Sequence, residues 1–170
     1  LWAAMKSGRS IKWTSDRTEA FLTDAHGRDH VTTAKIGFDK DGMIVGLKVD
    51  TKANLGAYMS LFSSAVPTYL YATLLSGQYN IANIYCNVQA VYTNTVPVDA
   101  YRGAGRPEAC YVIERLMETA AREMGVDPSE LRAKNFVTSF PHQTPVIMAY
   151  DSGYSAANQK QAQEHTLIHN

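Results

Sequence analysis

Cysteine is nearly missing: the 170 residues hold only Cys86 and Cys110, 24 positions apart and without a companion at two-to-four spacing. Neither a zinc site nor an iron–sulfur cluster can be built from such a pair. The spacing gives no support for a disulfide, and the expectation is two buried thiols in a reducing compartment, because a free cysteine packs as a small hydrophobe. An excess of charge of one sign is also missing, with 16 Lys and Arg against 16 Asp and Glu. That balance leaves no basic footprint for a nucleic-acid backbone or an anionic membrane surface. No run approaches the roughly 20 apolar residues of a membrane span. The longest mostly apolar stretch, Ala65 to Leu75, is broken by Pro67 and Thr68. What remains, 45% hydrophobic and 19% charged residues, is the composition of one ordinary globular domain and excludes collagen, coiled coil and wholesale disorder.

Leu1 to Lys6 reads as the end of a helix stopped at Gly8 and, since no Met opens the chain, Leu1 is not expected to be a natural N-terminus. Ile11 and Trp13 alternate with Lys12 and Thr14, which predicts a short strand, and Ser15 to Asp29 follows as a polar connection. Ala34, Ile36 and Phe38, the turn tetrad Asp39-Lys40-Asp41-Gly42, and then Met43, Val45, Leu47 and Val49 predict a hairpin with a solvated tip. From Ala53 to Gly77 the periodicity fails, and the expectation is a long irregular segment with one short helix around Tyr69 to Leu75. Ile84, Cys86, Val88, Ala90 and Tyr92 restore a strand. Pro107 to Met124 predicts the strongest helix, with Ala109, Ile113, Leu116, Ala120 and Met124 as one apolar stripe and Glu114, Glu118 and Arg122 facing away. Gly125 closes it, and Asp127-Pro128-Ser129-Glu130 opens a second helix with a capping Asp. This pair is scaffold and not a DNA reader, since its surface is acidic as much as basic. Asp151 to Asn170 lacks apolar periodicity and is expected to be loosely ordered. The fold class is therefore α+β, mixed or antiparallel strands with hairpins plus two consecutive helices.

Chemistry concentrates in Val98-Asp99-Ala100-Tyr101-Arg102-Gly103-Ala104-Gly105-Arg106-Pro107-Glu108, a strand leading through a glycine loop into a helix. Such a loop aims backbone N–H groups at one point and favours an anion or electron-rich oxygen there. Arg102 and Arg106 add planar forks suited to phosphate or carboxylate. Neither nucleotide motif is met: Gly-Lys-Ser/Thr is missing, and Glu108 stands where the dinucleotide fingerprint needs a third Gly or Ala. A tight turn carrying surface arginines is the competing reading. Asp24, His26, Asp29 and His30 are metal-capable residue types lying in a polar connection where solvation is their ordinary state, while His142, His165 and His169 have no partner pattern. Spacing proposes no catalytic triad.

At this loop a resemblance emerges. AYRGAGRPEA, preceded by VYTNTVPV and followed by YVIERLMETAAREMGVDPSELRAKNF, resembles the molybdopterin-binding large subunit of the xanthine dehydrogenase, aldehyde oxidase and carbon monoxide dehydrogenase family. GRSIKWTSDRTEAFLTDAHGRDH, FDKDGMIVGLKVDTKANLGAY and LLSGQY are similar to the same family, so the match runs from Leu1 to about Gly153. It implies residues 1–153 as part of a molybdopterin-binding domain and 154–170 as a divergent tail. It also implies a molybdenum hydroxylase acting on an aldehyde or N-heteroaromatic substrate with oxygen from water, and a molybdenum–pterin dinucleotide, of the cytosine form, as cofactor. An iron–sulfur subunit and an FAD subunit are the implied partners, in an oligomeric cytoplasmic parent.

By position the resemblance places Tyr101, Arg102, Gly103 and Ala104 at the cofactor, Arg28 and Ala104 at the substrate, and no direct metal ligand on this chain. Gly103 occupies the position of the copper-binding Cys of true carbon monoxide dehydrogenases, which argues against carbon monoxide oxidation. Ala104 stands where purine- and aldehyde-oxidising relatives carry a stacking Phe. The family's Gly-Gly-Phe-Gly segment is expected before Leu1 and its catalytic Glu, in a Gly-Glu context, beyond Asn170. The implied reading is an internal fragment, inactive alone. The alternative is a free-standing anion-binding or subunit-assembly module built on the same loop.

Overall fold

A computed structural model describes residues 1–166 of the chain. In chain order they form α1 (Trp2–Ser7), α2 (Arg17–Thr23), β1 (His30–Phe38), β2 (Ile44–Gly56), β3 (Ile84–Tyr92), α3 (Arg106–Met124), α4 (Pro128–Asn135), β4 (His142–Gln143), β5 (Ala149–Tyr150) and α5 (Ser155–His165). The architecture is the expected α+β, with the sheet order β1-β2-β3.

The hairpin forms because Asp39 closes its turn: one carboxylate oxygen accepts from the amides of Asp41 and Met43, each at 2.9 Å. The tip is not simply solvated. Asn135, at the end of α4, is fully buried and reaches it with three bonds: its Oδ1 accepts from the Ile44 amide at 2.8 Å, and its Nδ2 donates to the Gly42 and Leu131 carbonyls, both at 2.9 Å. Gly37 pairs with Gly46 but Phe38 pairs with Ile44, so Val45 is an extra residue in β2. The bulge flips the side-chain phase. Ile44, Leu47 and Val49 face the core while Met43 and Val45 are exposed, which corrects the unbroken alternation expected from Met43 to Val49.

β3 pairs with β2 in parallel, so residues 57–83 form a crossover rather than a structureless loop. Its centre is a π-helical turn, Val66–Leu70, in which the Leu70 amide donates to Ala65 at 3.0 Å. The helix expected around Tyr69 to Leu75 therefore starts earlier, at a segment with Pro67 in its first turn. α3 covers one face of the sheet with Ala109, Ile113, Met117, Ala120 and Ala121, packed in one cluster with Leu47, Val49, Tyr71, Leu75 and Tyr79. Met124 is exposed, so the buried stripe follows Met117 and Ala121 instead.

Glu114 and Glu118 do not simply face away. Both accept from Arg132 of α4, at 2.8 and 3.2 Å, and Glu114 also takes the Tyr79 hydroxyl at 2.7 Å. Burial, followed by that carboxylate, pushes the Tyr79 phenol far above its ordinary value. α4 starts as expected, with the Asp127 carboxylate accepting from the Ser129 and Glu130 amides at 2.7 and 3.0 Å.

Four other expectations are corrected. Ile11 to Thr14 forms no strand, and Ile11 and Trp13 are exposed. The polar connection contains α2, started by a capping box in which the Asp16 carboxylate and the Glu19 side chain each accept the other's backbone N–H. Cys86 is half-buried and Cys110 exposed, and both are free thiols. The tail folds at least in part: Ser155–His165 is helical, rich in the good helix formers Ala and Gln, and Gln159 and Gln163 donate to Ser129 at 2.8 and 3.0 Å. His165 ends that helix, and His169 lies outside the described residues.

Candidate functional site: the glycine loop before α3

Two segments converge on the loop. Residues 26–28 run beside its lead-in, with the His26 amide donating to Pro97 at 2.9 Å and the Asp99 amide donating to His26 at 2.7 Å. The crossover is tied in by Asp99, whose carboxylate accepts from the Ser60 hydroxyl, from the Phe62 amide at 3.1 Å and from the Ala100 amide at 2.6 Å. The Ser60 hydroxyl, then these backbone donors, hold the Asp99 carboxyl below its ordinary value.

A carboxyl with a depressed folded pKa stabilises above its unfolded value, near 4, and that contribution is lost as pH falls through the folded value. The Phe62 amide resonance is therefore expected to titrate with a midpoint below about 4. A midpoint at or above that value, or the same titration in Asp99→Asn, contradicts the assignment.

The loop itself is a tight turn. The Ala104 amide donates to Tyr101 at 2.8 Å and the Arg106 amide to Gly103 at 3.0 Å. Gly103, Ala104 and Gly105 carry φ of 96°, 37° and 90°, three consecutive residues in the left-handed half of backbone space. At Gly105 a Cβ would stand 2.6–2.7 Å from the Leu70 and Tyr71 backbone, so only glycine lets the loop seat on the π-helical turn. At Gly103 the contact is the Pro107 ring, at 2.7 Å. Among the described residues the amides of Arg102, Gly103 and Gly105 donate to no protein acceptor. Arg102 and Arg106 are exposed and enter no ion pair among those residues. Gly105 is buried against the π-helical turn, so the donors open at the loop are the Arg102 and Gly103 amides and two guanidinium forks, a set that fits an electron-rich oxygen or a phosphate.

Behind the loop stands Arg28. It donates through Nη2 to the Arg102 carbonyl, lies over the Tyr101 ring at 5.1 Å, and places Nε 3.5 Å from Glu108. The Glu108 side chain is 8% exposed, and among the described residues neither of its oxygens has a hydrogen-bond partner. A cleft of about 680 Å³ opens beside the pair, lined by Arg28, His30, Thr32, Glu108, Tyr111 and Leu116 among others. Burial pulls the His30 imidazole below its ordinary value although Glu108 and Asp29 oppose this. Asp24, His26, Asp29 and His30 form no metal-holding group among the described residues. The structure thus brings Arg28 to Tyr101, Arg102 and Gly103. The roles of Asp99 and Glu108 were missed, although both stand in the quoted motif.

Residues 1–136 match the model of the molybdopterin cofactor-binding domain. The chain belongs to that family. Among curated relatives, the carbon monoxide dehydrogenase large chain of Hydrogenophaga pseudoflava is 39% identical over 158 residues, covering 89% of this chain and 19% of the relative. The 6-hydroxypseudooxynicotine dehydrogenase complex subunit gamma of Paenarthrobacter nicotinovorans is 36% identical over 81% of this chain and 17% of its own length. Among solved structures, quinoline 2-oxidoreductase of Pseudomonas putida 86 superposes with a TM-score of 0.89 at 28% identity, over 96% of this chain and 21% of that one. The chain spans about a fifth of the length of these proteins, and none of its described helices is long and apolar enough to cross a membrane.

Proposed function

We propose that this chain supplies the Tyr101–Ala104 loop of a molybdenum hydroxylase large subunit. The loop amides and the Arg102 and Arg106 forks hold the oxygen-rich parts of a molybdenum–pterin dinucleotide of the cytosine form. The observation that carries the reading is the free donor pair of the Arg102 and Gly103 amides on a turn whose left-handed backbone is already formed. Donors oriented in advance cost nothing to reorganise when the ligand arrives. When bound, the cofactor supplies a two-electron oxidation in which oxygen is drawn from water. The chain's own part is to bind and orient. Its sequence has no Gly-Glu pair, so no residue here is assigned to proton abstraction.

The proposed substrate is an aldehyde or an N-heteroaromatic. Gly103 places no thiol at the loop, which argues against carbon monoxide despite the 39% identity to a carbon monoxide dehydrogenase large chain. Ala104 contributes a single methyl where a ring would narrow the site, leaving room for a bicyclic substrate such as the quinoline in one neighbour's name. The 6-hydroxypseudooxynicotine enzyme is named as a complex, which supports partner subunits for this chain; an iron–sulfur and an FAD subunit, in the cytoplasm, are the partners proposed.

Calorimetric titration of the chain with molybdopterin cytosine dinucleotide tests the reading. Saturable binding is expected, weakened at least about tenfold, equivalent to about 1.4 kcal/mol, when one charged loop donor is removed in Arg102→Ala. A flat isotherm with a folded chain removes the proposal.

A further inference from the structure

The Arg28 side chain touches both ends of the loop. Its backbone is itself left-handed, with φ 57° at a non-glycine residue. Local strain of that kind persists where surrounding contacts over-determine it. Its Nη2 meets the carbonyl of Arg102 at the loop's start, its guanidinium carbon lies over the Tyr101 ring, and its Nε faces Glu108 in the first turn of α3, where the loop ends. The Gly103 position lies in the same contact: a Cβ there would stand 3.5 Å from Arg28 Nη2.

Glu108 explains why an arginine is held in this pose. Its carboxylate is closed to solvent and, among the described residues, accepts no hydrogen bond and makes its only ion pair with Arg28. A buried carboxylate requires a counter-charge nearby. Glu108 therefore pins the guanidinium, and the guanidinium holds the Arg102 carbonyl. With that carbonyl engaged on the protein side, the amides of Arg102 and Gly103 keep no protein acceptor among the described residues. Lysine offers a point charge for Glu108 but no plane that covers Tyr101 while also reaching Arg102.

We infer that Arg28 and Glu108 are a positioning pair for the Tyr101–Gly105 loop: the pair acts on a bound cofactor only through the loop backbone. The functional part of this inference rests on the cofactor reading above; the conformational part does not.

The experiment compares wild type, Arg28→Lys, and the double variant Arg28→Met/Glu108→Leu, which leaves no buried charge unpaired. Amide hydrogen exchange is read at Ala104 and Arg106, whose N–H groups close the turn, and at the amides of the β1–β2 ladder. Both variants are expected to exchange at least about tenfold faster at Ala104 and Arg106 with the ladder unchanged, and to bind molybdopterin cytosine dinucleotide at least about tenfold more weakly. A folded double variant whose loop amides are as protected as wild type overturns the inference, because the pair is then only charge compensation. Full protection in Arg28→Lys overturns the need for a planar fork. If wild type binds no dinucleotide, the cofactor reading fails, and the exchange data still decide the clamp.

Discussion

Asn135→Ala is expected to destabilise the chain by about 3–4 kcal/mol, measured as a shift of the urea midpoint at unchanged slope. Asn135 is fully buried and joins the hairpin tip at Gly42 and Ile44, more than 90 positions away in sequence, to α4 at Leu131. Removing the amide leaves the Ile44 N–H and the Gly42 carbonyl buried and unpaired, and each such group costs about 1–3 kcal/mol. A loss below about 1 kcal/mol, the size of one ordinary exposed hydrogen bond, contradicts the role given to this residue.

Gly105→Ala is the second large effect, about 3–5 kcal/mol, because two penalties coincide there. The backbone sits at φ 90°, and a new Cβ would lie 2.6–2.7 Å from the backbone of Leu70 and Tyr71, atoms that cannot swing aside. Gly125→Ala is an internal control: its φ is 68°, and nothing stands within 4 Å of the added atom. The control should lose only about 1 kcal/mol, the strain of a left-handed alanine. If the two variants unfold at the same denaturant concentration, the loop is not seated on the π-helical turn as described.

The elements legible in the sequence are those whose signals are local. Asp39 closing a turn, Asp127 capping a helix and the spacing of Ala109 and Ile113 all act within a few residues, and α3, α4 and the hairpin follow from them. The capping box of Asp16 and Glu19 was equally local and identifies α2, but the charged composition around it hid the helix. Other features arise only in three dimensions. The bulge at Val45 appears only when Gly37 meets Gly46, and the parallel pairing of β2 with β3 makes a crossover out of a stretch with no period of its own.

The candidate loop was visible from Gly103, Gly105 and the flanking arginines, and its free amides agree with that reading. Its support was not visible. Arg28 stands 74 positions from Arg102, and Asp99 reaches 39 positions back to Ser60. No periodicity carries such contacts, and Glu108 reads in sequence as an ordinary first-turn acid of a helix rather than as a buried counter-charge.

We propose that the amides of Arg102 and Gly103 receive the oxygen-rich part of a molybdenum–pterin dinucleotide without rearrangement of the loop. Chemical shifts of the ¹⁵N-labelled chain, followed during titration with molybdopterin cytosine dinucleotide, decide this. The Arg102 and Gly103 amides are expected to move first and farthest, with Ala104 following and the β1–β2 hairpin still. Saturable shifts centred elsewhere, for instance on the cleft between Lys35 and Lys48, with the loop amides unmoved, would contradict it.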